Sequence, residues 1–223
     1  VNKEGECMEI QHSFNQNDFI NEGIVKGIII KKTIKENYVV FKILTKYNSS
    51  NINLSGILLK DNKEMAAGFN TGNFVELKGY ITLHISKSTK KLRQSFVITE
   101  IKRMNNISSI LFPYVSSDMQ DNRYRNYFRL KGFVNNITDI NNTLTFVTIS
   151  TYNCSLQILN KAIITINKRN IQKVSDFKKG DIIEILAKLK ETPINCNFGK
   201  KQYFIEPLVP YYINRIKINS FEK

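Results

Sequence analysis

The residues of this chain whose types could do chemistry are lysines, arginines and aromatic rings, and they fall in short clusters. Ser86-Lys-Ser-Thr-Lys-Lys-Leu-Arg-Gln94 brings Lys87, Lys90, Lys91 and Arg93 together with no acid among them. Mobile cationic groups at that density can track a phosphate backbone without reading its sequence, and the same stretch also suits a solvated hairpin tip. Glu191-Thr-Pro-Ile-Asn-Cys-Asn-Phe-Gly-Lys-Lys201 sets Phe198 beside Lys200 and Lys201, with Tyr203 just beyond. Its chemistry is stacking as well as charge, although a packed Phe198 fits equally well. Arg123-Tyr-Arg-Asn-Tyr-Phe-Arg-Leu-Lys131 interleaves Arg123, Arg125 and Arg129 with rings, a pattern that suits cations on phosphate and rings on bases. Tyr127 and Phe128 within it serve equally as strand core residues.

In Tyr38-Val-Val-Phe-Lys-Ile-Leu-Thr-Lys-Tyr47, period-2 alternation puts Val39, Phe41 and Ile43 on one face and Lys42, Leu44 and Lys46 on the other, which is expected to face outward. Tyr47 and Tyr152 close two similar segments, where a tyrosine either stacks on a base or caps a barrel.

Catalytic patterns do not occur. The sequence holds no phosphate-binding glycine loop, His-x-x-x-His, Cys-x-x-Cys or nucleophile elbow. Glu76 and Glu184 alternate with apolar residues in two separate segments and read as solvated strand positions, not as an acid/base pair. Cys7, Cys154 and Cys196 lie far apart, and His12 and His84 are near none of them, so neither a metal site nor a disulfide framework is expected. No catalytic residue, metal or cofactor is assigned.

The net charge of +14 favours a polyanionic partner. It is uneven: residues 123–223 hold 17 basic and 7 acidic side chains, whereas residues 1–104 hold 16 and 10. A membrane partner is the weaker reading, because no stretch approaches the ~18 apolar residues of a spanning helix and the basic residues sit among β-type segments. The first residues, Val1-Asn-Lys-Glu-Gly-Glu-Cys-Met8, lack the apolar core of a secretory signal, and an intracellular protein (cytoplasmic, or nucleoid-associated in a bacterium) is expected.

The elements that must position these clusters are strands. Gly23 to Lys32, Asn37 to Tyr47, Ile52 to Leu59, Asn73 to Ile85 and Ser95 to Arg103 are rich in Ile, Val, Phe, Tyr and Thr, with a short helical piece, Asp61 to Gly68, before the fourth. The order returns in Tyr127 to Asn135, Thr143 to Tyr152, Ala162 to Asn167, Asp181 to Leu189 and Gln202 to Leu208, with Ile171 to Lys178 as the helical piece. Val-Lys-Gly27 matches Leu-Lys-Gly132 and Thr-Lys-Tyr-Asn48 matches Ser-Thr-Tyr-Asn153 at one offset of 105 residues, while Thr-Gly-Asn-Phe-Val-Glu-Leu-Lys78 matches Lys-Gly-Asp-Ile-Ile-Glu-Ile-Leu186 at 108. Residues 105–122 carry no Lys or Arg, include Pro113 and form the expected junction between domains 1–104 and 123–223. The apolar run Ile110 to Val115 within it is expected to pack on a barrel.

Five strands with a helix before the fourth is the order of an oligonucleotide/oligosaccharide-binding (OB) barrel. The expected fold is all-β, two tandem five-stranded Greek-key barrels of this type. The fourth-strand pattern and the early glycines, Gly27 and Gly132, resemble those of bacterial single-stranded DNA-binding proteins and their primosomal relatives. That resemblance implies non-enzymatic binding of single-stranded DNA in replication, repair or plasmid transfer, along the second and third strands and the loops after the first and fourth, with other replication or repair proteins as further partners. RNA binding on the same fold, or an adaptor in which one barrel recruits a protein partner, stays open beside it.

Overall fold

The structure, a computed structural model, describes residues 19–47, 50–86, 89–104, 125–153, 158–167, 177–198 and 201–216. Its elements are β1 (Ile20–Ile34), β2 (Tyr38–Tyr47), β3 (Ser50–Leu59), a 3-10 segment (Lys60–Ala66), β4 (Phe74–Ile85), β5 (Leu92–Arg103), β6 (Arg125–Asp139), β7 (Leu144–Asn153), β8 (Ile158–Asn167), β9 (Ile182–Leu189), β10 (Ile194–Phe198), β11 (Lys201–Ile205) and β12 (Leu208–Ile216). The described chain is nearly all β.

In the first half the ladders run β1–β2, β2–β3, β3–β5, β5–β4 and back from β4 to β1, with β3–β5 the parallel pair. The second half repeats the circuit as β6–β7, β7–β8, β8–β12, β12–β9 and β9–β6, again with one parallel pair, β8–β12. A long first strand serves two partners in each circuit, and it must bend where it changes hands. In β1, residues Gly23 to Ile28 pair with β4, and residues from Ile28 onward pair with β2. Gly27 sits at that change. A Cβ there would lie 2.2 Å from the Leu44 carbonyl oxygen, and one on Gly132 would lie 2.1 Å from that of Ser150, so a side chain is excluded at both.

Two asparagines take over where the ladder between first and fourth strands stops. Asn21 donates to the carbonyl of Ile81 (2.8 Å) and accepts from its N–H (2.9 Å). Asn126 does the same to Leu189 at 2.8 and 3.0 Å. Each amide thereby satisfies a backbone pair that would otherwise be buried and unbonded.

The circuits are joined edge to edge. β1 and β6 pair antiparallel from Ile20–Lys131 to Lys26–Arg125. Their interiors form one hydrophobic cluster containing Phe41, Leu77 and Phe96 from the first half and Phe128, Ile149 and Ile183 from the second. Phe128 meets Phe96 edge to face at 5.2 Å and occupies the space that a side chain on Gly23 would need.

Three expectations change. The fifth strand of the second half is Leu208–Ile216, not Gln202 to Leu208. Its expected first residues belong instead to β11, which leaves the circuit and pairs in parallel with β5. Each stretch alternates acceptably, so the choice of partner lay outside the local pattern. The helical piece of the first half is a 3-10 segment at Lys60–Ala66, while most of Ile171 to Lys178 lies outside the described residues, as does the junction with its Ile110 run. Finally, Ile43 packs its Cγ2 against Gly27 as Ile149 does against Gly132. The second strands are therefore matched one residue further along than the sequence anchors suggest, and Tyr152 stands at the position of Lys46, not of Tyr47.

Candidate nucleic-acid interface

On the first half, the face of β2 and β3 turned away from the core forms an open row. Val39, Phe41, Ile43, Leu54 and Leu58 point inward and are essentially buried. The opposite parity gives Tyr38, Val40, Lys42, Leu44 and Lys46 on β2, opposed across the ladder by Leu59, Ile57, Ser55, Asn53 and Asn51 on β3. Lys31 of β1 lies opposite Lys42 and adds a second cation. Tyr38 retains 38% of its surface, and Lys42 is exposed. Lys42 and Lys46 were expected here. Tyr38, Lys31 and Asn53 were not, although continuing the same alternation back from Lys42 reaches Tyr38.

The corresponding face of the second half is built differently. Thr148 takes the place of Lys42, Ser150 of Leu44 and Tyr152 of Lys46, while Phe146 and Ile163 replace Val40 and Ser55. Phe146 and Ile163 are each only 2% exposed. They are covered by Ile194, Cys196, Tyr203 and Ile205 from the β10–β11 hairpin and by Leu83 and Leu92 from β4 and β5. The Tyr203 ring lies 5.9 Å from that of Phe146, edge on. Burial pushes the Tyr203 hydroxyl and the Cys196 thiol above their ordinary pKa values. Tyr203 is thus a packing ring at the contact between the halves, and Cys196 a free, partly covered thiol.

That contact is held by one buried amide. Gln94 of β5 donates to the carbonyls of Ile163 and Glu206 (both 3.0 Å) and accepts from the Ile163 N–H (2.6 Å). β11 runs beside it in parallel, Tyr203 opposite Leu92 and Ile205 opposite Gln94. Arg93, expected on a mobile loop, lies instead in β5 with its guanidinium 4.9 Å above the Phe204 ring. Lys91 reaches Asn195 Oδ1 at 3.5 Å, and Lys90 stays exposed with φ of 55°. β5 and β11 are entered from the same end, so the structure sets Lys90 and Lys91 on the side where β10 turns into β11 at Phe198–Lys201. Lys87, Arg123 and Lys200 lie outside the described residues, as do the side chains of Tyr47, Phe198 and Lys201.

In the segment from Arg125 to Lys131, the arginines and Phe128 are engaged with partners other than the β2–β3 row. Arg129 is paired with Glu184 at 2.7 Å, Phe128 is core, and exposed Arg125 lies 4.9 Å above the Tyr127 ring. On the inward side of β2, buried Thr45 donates to the Arg125 carbonyl at 3.4 Å. Among the described residues no His, Cys, Asp and Glu group could hold a metal ion, and no helix is long and apolar enough to cross a membrane.

The fold is an OB fold of the kind seen in single-stranded DNA-binding proteins. The chain is similar over 92% of its length to two crystal structures of the single-stranded DNA-binding protein from Thermus aquaticus. A deletion mutant of that protein matches over all of its own chain with a TM-score of 0.57 and 11% identity, and the wild type over 97% with 0.57 and 10%. No protein-family model and no curated protein sequence matches the chain.

Proposed function

We propose that the protein binds single-stranded DNA without catalysis, that each strand circuit is an OB barrel, and that the open β2–β3 row of the first barrel carries the strand. One observation carries this reading: the row that would receive a strand is basic and open in the first half and apolar and covered in the second. Lys31, Lys42 and Lys46 contact phosphates, Tyr38 stacks a base, and the basic hairpin with Lys87, Lys90 and Lys91 extends the path. The second barrel braces the first. The likeness to the Thermus protein supports the fold and the ligand class, and a soluble intracellular setting follows from that ligand.

The test is anisotropy titration of labelled single-stranded DNA, RNA and duplex of equal length across a salt series. Tyr38→Ala is expected to weaken single-strand binding by about 1–3 kcal/mol without changing the salt slope. Lys42→Ala with Lys46→Ala should lower affinity and flatten the slope by about 0.7 per lost phosphate contact. Equal affinity for duplex and single strands, or folded variants that bind like the parent, would refute the groove. Preference for RNA over DNA would keep the site and change the ligand.

A further inference from the structure

The first barrel's row carries one feature that opposes its charge. Glu191, from the loop between β9 and β10 of the second half, places its carboxylate on that row: Asn53 Nδ2 donates to Glu191 Oε1 at 2.8 Å. Asn53 stands opposite Leu44 on β3, and Lys42 is the next residue along the same face of β2.

The position is held from both sides. Leu189, two residues earlier, is clamped by the two hydrogen bonds of Asn126, itself only 5% exposed. Lys190 donates its N–H to the Pro207 carbonyl at 2.9 Å, and Pro193 fixes the backbone two residues later. The hydrogen bonds from Asn53, with the positive charge of Lys42 adding to them, hold the Glu191 carboxyl below its ordinary range, so it is ionised at neutral pH.

We propose that Glu191 is a built-in competitor for the strand: its carboxylate occupies a phosphate position, engages the Asn53 amide and offsets Lys42, so that an incoming phosphate must displace it. This rests on the groove reading above. A fixed like charge at a polyanion site lowers affinity and speeds release, which suits a protein that must leave the strand when the strand is next used.

Glu191→Gln keeps an oxygen for Asn53 and removes only the charge. Binding of an oligothymidylate would be measured at several salt concentrations for the parent, Glu191→Gln, Lys42→Ala and the double variant, with urea midpoints as a check on folding. Glu191→Gln is expected to bind about two- to fivefold tighter at low salt, with the gain shrinking as salt screens it. Its log–log slope should steepen by up to about 0.7, one recovered phosphate contact. In the Lys42→Ala background the gain should be smaller, because the charge that Glu191 offsets is gone. Unchanged or weaker binding by a folded Glu191→Gln, with Lys42→Ala still impaired, overturns the competitor and leaves the groove. If neither substitution alters binding, the groove reading falls as well.

Discussion

The outer faces of β2–β3 and β7–β8 descend from the same pattern and have opposite fates. On the first, Val40, Lys42, Ser55 and Tyr38 leave a basic, partly apolar surface open to solvent. On the second, Phe146, Thr148 and Ile163 stand at corresponding positions, and the β10–β11 hairpin with Leu83 and Leu92 closes over them. The difference shows how two similar strand circuits come to present unlike faces. Exchanging a cation and a small polar residue for a threonine and an isoleucine turns an open face into a packing face, and the β10–β11 hairpin becomes its cover.

The largest expected effect tests whether the cover is structural. Phe146→Ala should destabilise the protein by about 3–5 kcal/mol, as for loss of a fully buried ring, whereas Val40→Ala at the matching open position should cost about 1 kcal/mol or less. Equal urea midpoints for the two variants would erase the contrast between the faces.

Next in size is the amide that locks the cover. Gln94→Ala leaves the buried Ile163 N–H and carbonyl of β8 without their partner and is expected to cost about 2–4 kcal/mol. The loss should be sharpest in amide exchange at Ile163 and along β11. Protection there that matches the parent would show that the hairpin docks by apolar contact alone.

The smallest effect concerns Glu206, which follows β11 and lies near Arg93. Burial pushes its carboxyl up to about 7, against the opposing pull of the Arg93 charge. The folded protein therefore holds this proton more tightly than the unfolded chain does. Stability falls as pH rises from about 4.5 to about 7 and levels off above, by roughly 1–3 kcal/mol in all. His84, whose pKa is lowered chiefly by burial and further by Arg93, contributes with the opposite sign near its own titration. Comparison of the parent with Glu206→Gln between pH 5 and pH 8 isolates the carboxyl. A variant that loses as much stability across that range as the parent does would remove Glu206 from the account.

Local pattern determined a good deal of this protein. Alternation placed Val39, Phe41 and Ile43 in the core and Lys42 outside it, because a pleated strand has a side-chain period of two whatever it pairs with. The glycines at 27 and 132 and the turn glycines at 72 and 180, with φ of 91° and 94°, were visible as repeat anchors because backbone geometry admits little else there. Register and partnership were decided only in three dimensions. A one-residue difference in the hairpin between the first two strands of each half moved Tyr152 to the place of Lys46. Residues of β11 that alternate like a barrel strand found their partner in β5, about a hundred residues away. Period-2 alternation says which face of a strand is apolar, but not which surface will cover it; that choice rests on contacts between segments remote in sequence, and here it separated the open face from the covered one.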